Sequence, residues 1–131
     1  MKITTKTDYA VILLTELSMH KEHAVSLQAI ADKTGISEAY MQRIAAKLKK
    51  LKIIKPKHGA FGGYLLNKKP SDISLLSVVN AVGDDLFTVK CLKEGIKCPY
   101  QEKCANNKGW HTFQTKLNDL YQNTSIADLS I

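Results

Sequence analysis

Apolar residues recur at Tyr9, Ala10, Leu13, Leu14 and Leu17, the spacing of one helical face, and Thr7 or Asp8 offers the oxygen that would cap its first turn. Ser26 is placed to cap a second helix, in which Leu27, Ile30 and Ala31 face one way. Gly35, free to adopt positive φ, would close that helix. Ser37 then caps a third, whose Met41, Ile44, Ala45, Leu48 and Leu51 form a stripe for the core. The same periodicity leaves Glu38, Gln42, Arg43, Lys47, Lys49 and Lys50 mostly outward. A short helix, a glycine-containing turn and a capped second helix with a basic outer face is a helix-turn-helix layout.

Two apolar stretches follow, Ile53-Ile54-Lys55-Pro56 and Tyr64-Leu65-Leu66, separated by Lys57-His58-Gly59-Ala60-Phe61-Gly62-Gly63. This pattern predicts a β-hairpin, and a hairpin directly after such a helix pair is a wing. Its glycines would let the backbone approach a ligand without a Cβ clash. Ser74 predicts a fourth helix through Val82, stopped by Gly83. Periodicity fails from Asp84 to Asn107 and returns with Trp110, Phe113, Leu117, Leu120 and Tyr121, the stripe of a long helix suited to packing against a second copy. Asn123-Thr124-Ser125 would begin a last short segment. The expected fold is mainly α with a small β-hairpin: a winged helix-turn-helix over residues 1–83, a cysteine-containing loop over 84–107, and a dimerisation helix with a C-terminal segment over 108–131.

The length of 131 residues suits one ordinary core. Its longest apolar run, Tyr9 to Leu14, is far shorter than the roughly 20 residues of a membrane span, and no signal-peptide pattern follows Met1. The expectation is a cytoplasmic protein with no membrane contact. The formal charge of +7 is unevenly spread: residues 1–70 hold 13 Lys/Arg against 5 Asp/Glu, and residues 71–131 hold 6 against 7. Nine basic residues and no acid lie between Glu38 and Asp72. Such a block is the footprint of a polyanion binder, because each neutralised phosphate releases condensed counterions. No glycine-rich phosphate loop, acid pair or nucleophile with a base at motif spacing points to an enzyme.

All three cysteines, Cys91, Cys98 and Cys104, lie in the aperiodic stretch, with six and then five residues between them. An odd count in a reducing compartment argues against a disulfide framework, and no Cys-x-x-Cys zinc knuckle is present. Lys90, Lys93, Lys97 and Lys103 beside them favour thiolates. Three soft thiolates suit an iron-sulfur cluster or a zinc ion; redox-active thiols without a metal are the alternative. A cluster needs a further ligand, and the candidates are His111, His20, His23, His58 and Asp8.

The conjunction of Thr7-Asp8-Tyr9-Ala10, the turn Gly35-Ile36-Ser37, the wing His58-Gly59-Ala60-Phe61-Gly62-Gly63-Tyr64, three loop cysteines and the Trp110 helix resembles the Rrf-two family of bacterial transcription regulators. The resemblance spans nearly the whole chain. It implies a homodimer that binds double-stranded, partly palindromic operators and carries an iron-sulfur cluster, of two or four irons, whose state controls DNA affinity. By position it implies Cys91, Cys98 and Cys104 as cluster ligands. Ala39, Tyr40, Gln42 and Arg43 would approach bases or adjacent phosphates. Lys47 would extend that DNA-facing set, and Lys57, His58, Gly59, Gly62 and Gly63 would carry the wing into the minor groove. Three positions depart from the pattern. The first cysteine gap is one residue longer than is usual; Asn107 stands where the iron-sulfur biogenesis branch has a histidine ligand; and His58 replaces a usual wing arginine. Asp8 matches the carboxylate ligand of the nitric-oxide-sensing branch, which reaches across the dimer. The expected activity is DNA-binding transcriptional regulation through cluster, redox or nitric oxide status. Cysteine oxidation or a zinc ion is the alternative sensor.

Overall fold

The computed structural model describes residues 2–130. Helix α1 (Thr5–Met19) starts earlier than the periodicity suggests. Its cap is Thr4, whose hydroxyl accepts the Thr7 amide at 3.3 Å, in place of Thr7 or Asp8. The reason is that the Thr7 side chain is buried and committed elsewhere, while Asp8 sits exposed in the first turn, where a negative charge complements the helix dipole. Helices α2 (Leu27–Thr34) and α3 (Glu38–Lys50) begin at Ser26 and Ser37, whose hydroxyls accept the Ala29 and Tyr40 amides at 3.1 and 3.2 Å. Gly35, with φ of 77°, makes the turn between them.

Leu13, Leu14 and Leu17 of α1, Ile30 of α2, and Met41, Ile44, Ala45 and Leu48 of α3 form one buried cluster. Each fully buried aliphatic side chain contributes about 1.5–3 kcal/mol. Glu16 is the one charge drawn to its edge, and Lys33 pairs with it at 2.8 Å, tying α2 to α1. Leu51 departs from the expected stripe and is half exposed. The helix ends there, Lys52 turns the chain with φ of 58°, and the next residues to be buried are Ile53 and Ile54.

Strands β1 (Ile54–Lys57) and β2 (Gly63–Leu66) pair antiparallel, from Ile54 opposite Leu66 to Lys57 opposite Gly63. The base of this hairpin is bolted to the end of α3: the Ile53 amide donates to the Leu48 carbonyl at 3.0 Å, and the Asn67 carboxamide to the Lys52 carbonyl at 2.9 Å. Val25 bonds both ways with Tyr64, at 3.0 and 2.9 Å, and so lines the outer edge of β2. Helix α4 (Leu75–Ala81) is capped by Ser74. The 84–106 segment carries two 3-10 turns, Lys90–Leu92 and Gln101–Lys103. It leads into α5 (Asn107–Asn123), after which α6 (Ile126–Leu129) returns to the winged core. There the Ile126 amide donates to Ile73 O at 2.9 Å, the Leu75 amide to Thr124 O at 2.7 Å, and the Ile126 side chain is wholly buried. Among the described residues no helix is long and apolar enough to cross a membrane.

Candidate DNA interface and cysteine segment

The outer face of α3 presents Ala39, Gln42, Arg43 and Lys47 to solvent. Tyr40 is half buried, its ring edge-on to Tyr9 with centroids 5.4 Å apart, so its position is fixed by α1. The Gln42 amide nitrogen lies 3.4 Å from a Glu38 carboxylate oxygen, a long contact that holds the side chain along the helix surface. Lys47 bends toward α4 and donates to the Val82 carbonyl at 3.3 Å. With Lys6 and Arg43 it borders an open groove of about 460 Å³ between α1, α3 and α4, floored by Ile44 and Val82. Lys47 is therefore partly engaged by the fold, whereas Arg43 projects freely beside it.

In the wing, Lys57, His58 and Gly59 are exposed. A turn closes through the Gly62 amide donating to the Gly59 carbonyl at 3.0 Å. Two of the wing glycines answer to the hairpin itself. A Cβ on Gly62 would lie 2.5 Å from the Lys57 carbonyl oxygen, and one on Gly63 would run into the Val25 carbonyl. Phe61, which carries no signal of its own in the sequence, is held 92% exposed by these turns.

The 84–106 segment is pinned at its start by two polar knots. Asp84 accepts hydrogen bonds from the Thr4 hydroxyl and, at 2.6 Å, from the Thr7 hydroxyl, and pairs with Lys6 at 3.1 Å. Partial burial opposes the Asp84 charge, but the two hydroxyls and the Lys6 ammonium outweigh it and hold the carboxyl below its ordinary value. This knot ties the N-terminus of α1 to the first residues after α4. Gln114 makes the second knot from α5. Only 7% exposed, its carboxamide donates to Leu86 O at 2.8 Å and Asn118 Oδ1 at 2.9 Å, and accepts the Thr88 amide at 2.9 Å and the Thr88 hydroxyl at 3.2 Å. Neither Asp84 nor Gln114 stands out in the sequence; a polar residue on an apolar-periodic helix is the one signal Gln114 gives.

Cys91, Cys98 and Cys104 are free thiols, each half buried. Among the described residues the single chain brings no three His, Cys, Asp or Glu side chains together as a metal site. The donor set itself, three unoxidised and reachable thiols in a lysine-rich segment, suits a soft metal centre. Asp8 is exposed on the first turn of α1, and His111 is exposed on the second turn of α5. Cys104 lies three residues before α5 begins.

Helix α5 turns Gln114 and Tyr121 inward against the rest of the chain. The predicted stripe is thereby divided: Tyr121 is buried, whereas Trp110, Phe113 and Leu120 are exposed, the last by 62%. Trp110 and Phe113 pack edge-to-face with centroids 6.2 Å apart. Three large apolar side chains along one face of a single helix form an uncovered ridge.

A capped helix pair over a buried core, with a basic hairpin bolted to the end of the second helix, defines a winged helix-turn-helix DNA-binding protein. The family model Rrf2, "Iron-dependent Transcriptional regulator", matches residues 3–130, and the chain belongs to that family. The regulator IscR of Erwinia tasmaniensis is 31% identical over 131 residues, covering 98% of this chain and 78% of its own. That of Aliivibrio salmonicida is 30% identical over 133 residues, covering 100% and 78%. Among solved structures, CymR, the global cysteine regulator of B. subtilis, superposes with a TM-score of 0.81 at 25% identity, over 99% of this chain and 96% of CymR. IscR of T. potens superposes with a TM-score of 0.75 at 27% identity, over 98% and 85%. The protein is a DNA-binding transcriptional regulator.

Proposed function

We propose that this regulator acts as a homodimer whose operator affinity is set by an iron-sulfur centre held on Cys91, Cys98 and Cys104. The observation that carries the reading is the confinement of all three free thiols to the segment pinned to α1 by Asp84 and to α5 by Gln114. The iron-dependent family description and the IscR-named relatives support it. When bound, such a centre supplies a charge and a set of covalent restraints that oxidants or nitric oxide remove. Asp8, exposed on the first turn of α1, would serve as fourth ligand from a second copy, as the resemblance to the nitric-oxide-sensing branch implies.

The chain's own residues then do the transmission. Thiolates gathered at a common centre would draw Cys91 toward Cys104 and tighten the stretch that runs from the second knot at Thr88 to the start of α5. Asp84 passes that restraint to the start of α1, which packs against α3, and Gln114 passes it to α5. If the Trp110, Phe113 and Leu120 ridge is the dimer face, the separation of the two α3 helices follows, and it must match half-sites about 34–36 Å apart. A coupling of about 1–3 kcal/mol suffices for a switch. On DNA, Arg43 would meet phosphate or a guanine edge, and Gln42, with Ala39 and Tyr40 beside it, would read bases. Lys47, Lys57, His58 and Gly59 would follow the backbone and minor groove, with Gly62 and Gly63 shaping the turn that brings them there.

The test is an anaerobic purification with visible spectrum, iron and sulfide content, and solution mass. The account expects a coloured, iron-containing dimer that loses colour in Cys→Ser variants. Colourless, iron-free protein that binds its operator normally would overturn the cluster. The second reading, a thiol switch or zinc site on the same residues, is favoured by the ungathered, half-exposed cysteines and by the likeness to a cysteine regulator. Zinc analysis and free-thiol titration before and after mild oxidation separate the two.

A further inference from the structure

Phe61 is the most exposed large apolar side chain described, at 92%, and it stands at the tip of the wing. A phenyl ring left in water forgoes the stabilisation that burial gives, so a fold has no internal reason to hold one there. A closed turn presents it at the tip. Lys57 and Gly63 close the strand pair, Gly59 with φ of 119° reverses the chain, and the Gly62 amide returns to the Gly59 carbonyl at 3.0 Å, which sets Ala60 and Phe61 at the turn's apex. Gly62 and Gly63 admit no Cβ in this turn, so the tight apex that carries Phe61 depends on glycine at both positions. The surroundings are cationic: Lys55, Lys57 and His58 flank the tip, with no acid between Glu38 and Asp72. The base of the hairpin is hydrogen-bonded to the end of α3, so the wing projects from the same end of that helix.

From this placement we infer that Phe61 is a wedge: its ring enters the minor groove flanking each half-site and stacks into a base step, unstacking and kinking the duplex there. The inference rests on the DNA-binding reading and adds a shape-specific contact to it. An aromatic face stacks on any base, so the preference it gives is for steps that open cheaply, pyrimidine-purine steps above all. The cationic flanks favour the phosphate-lined groove over an apolar protein partner, because a partner matched to Phe61 alone would have to desolvate Lys57 and His58 beside it.

The test uses the full-length protein and a duplex that it selects from a random pool, with the fluorescent base aminopurine placed in turn at each flank position. The parent is expected to raise aminopurine fluorescence at one step per half-site on binding. Phe61→Ala is expected to abolish that rise and weaken binding about tenfold, with the slope of log affinity against log salt unchanged. Phe61→Lys adds a charge and should steepen the salt slope, yet still fail to raise the fluorescence. Equal fluorescence and affinity in the parent and Phe61→Ala overturn the wedge and leave the DNA-binding reading standing, as does full rescue of affinity by Phe61→Lys. A parent that selects no duplex overturns the DNA-binding reading and the wedge with it.

Discussion

Gln114→Leu keeps the volume and helix propensity of α5 while deleting the carboxamide that grips the start of the cysteine segment. Four hydrogen bonds are lost, and the Thr88 amide and Leu86 carbonyl lose their protein partners. Each such backbone group costs about 1–3 kcal/mol when kept dry. Leu86 and Thr88 are half exposed, so water recovers part of this, and the lower end applies to each. The sum is about 2 kcal/mol, charged mostly to local opening of residues 86–91, because the rest of the core is untouched. An opening free energy lowered by about 2 kcal/mol raises the open population about 30-fold. Native-state hydrogen exchange reads this at the Thr88 amide, and alkylation of Cys91 relative to Cys104 reads it in chemistry. The expected result is faster exchange at Thr88, a selective gain in Cys91 reactivity, and weaker response of operator affinity to cysteine state. Unchanged Thr88 protection in a folded Gln114→Leu protein would refute the claim that this side chain fastens the segment to α5.

Asp84 has its carboxyl pKa lowered in the folded chain, so its contribution is fully present above the unfolded value and fades as pH falls through the folded one. Asp84→Asn should therefore lower stability by about 2 kcal/mol near neutral pH and make progressively less difference in acid, as denaturant melts across pH would record. Arg43→Ala should weaken operator binding and flatten its salt dependence, whereas Gln42→Ala should alter base preference by about 1–3 kcal/mol at one position; binding-site selection by each variant distinguishes them. Gly63→Ala forces a Cβ against the Val25 carbonyl at φ of 153° and should destabilise the wing by more than about 1 kcal/mol, seen as lost protection of the Tyr64 amide. Leu120→Glu, on the exposed ridge, should shift the proposed dimer to monomer in sedimentation without lowering the stability of the single chain.

The winged domain was legible because its signals are local. Ser26, Gly35, Ser37 and Ser74 each act within one turn, and the Met41 to Leu48 stripe is read by counting. The misplaced cap of α1 has a non-local cause: Thr7 faces Asp84, 77 residues away, and no pattern within α1 announces that partner. Leu51 failed for a related reason, since a helix end is decided by the turn that follows it, and Lys52 adopts a conformation uncommon for its type. The return of Ile126 to the core is likewise invisible in a short C-terminal segment read alone. In the candidate site, the cysteines are conspicuous by type, but the residues that connect them to the fold are a carboxylate and a carboxamide of ordinary appearance.

In the proposed switch, the state of Cys91, Cys98 and Cys104 governs operator affinity. The most direct measurement is the operator Kd of one anaerobic preparation before and after its iron is chelated, with the triple Cys→Ser variant alongside. The account predicts a change of about 5- to 150-fold on chelation in the parent, and none in the variant. An identical Kd before and after iron removal, in a preparation shown to have carried iron, would contradict it.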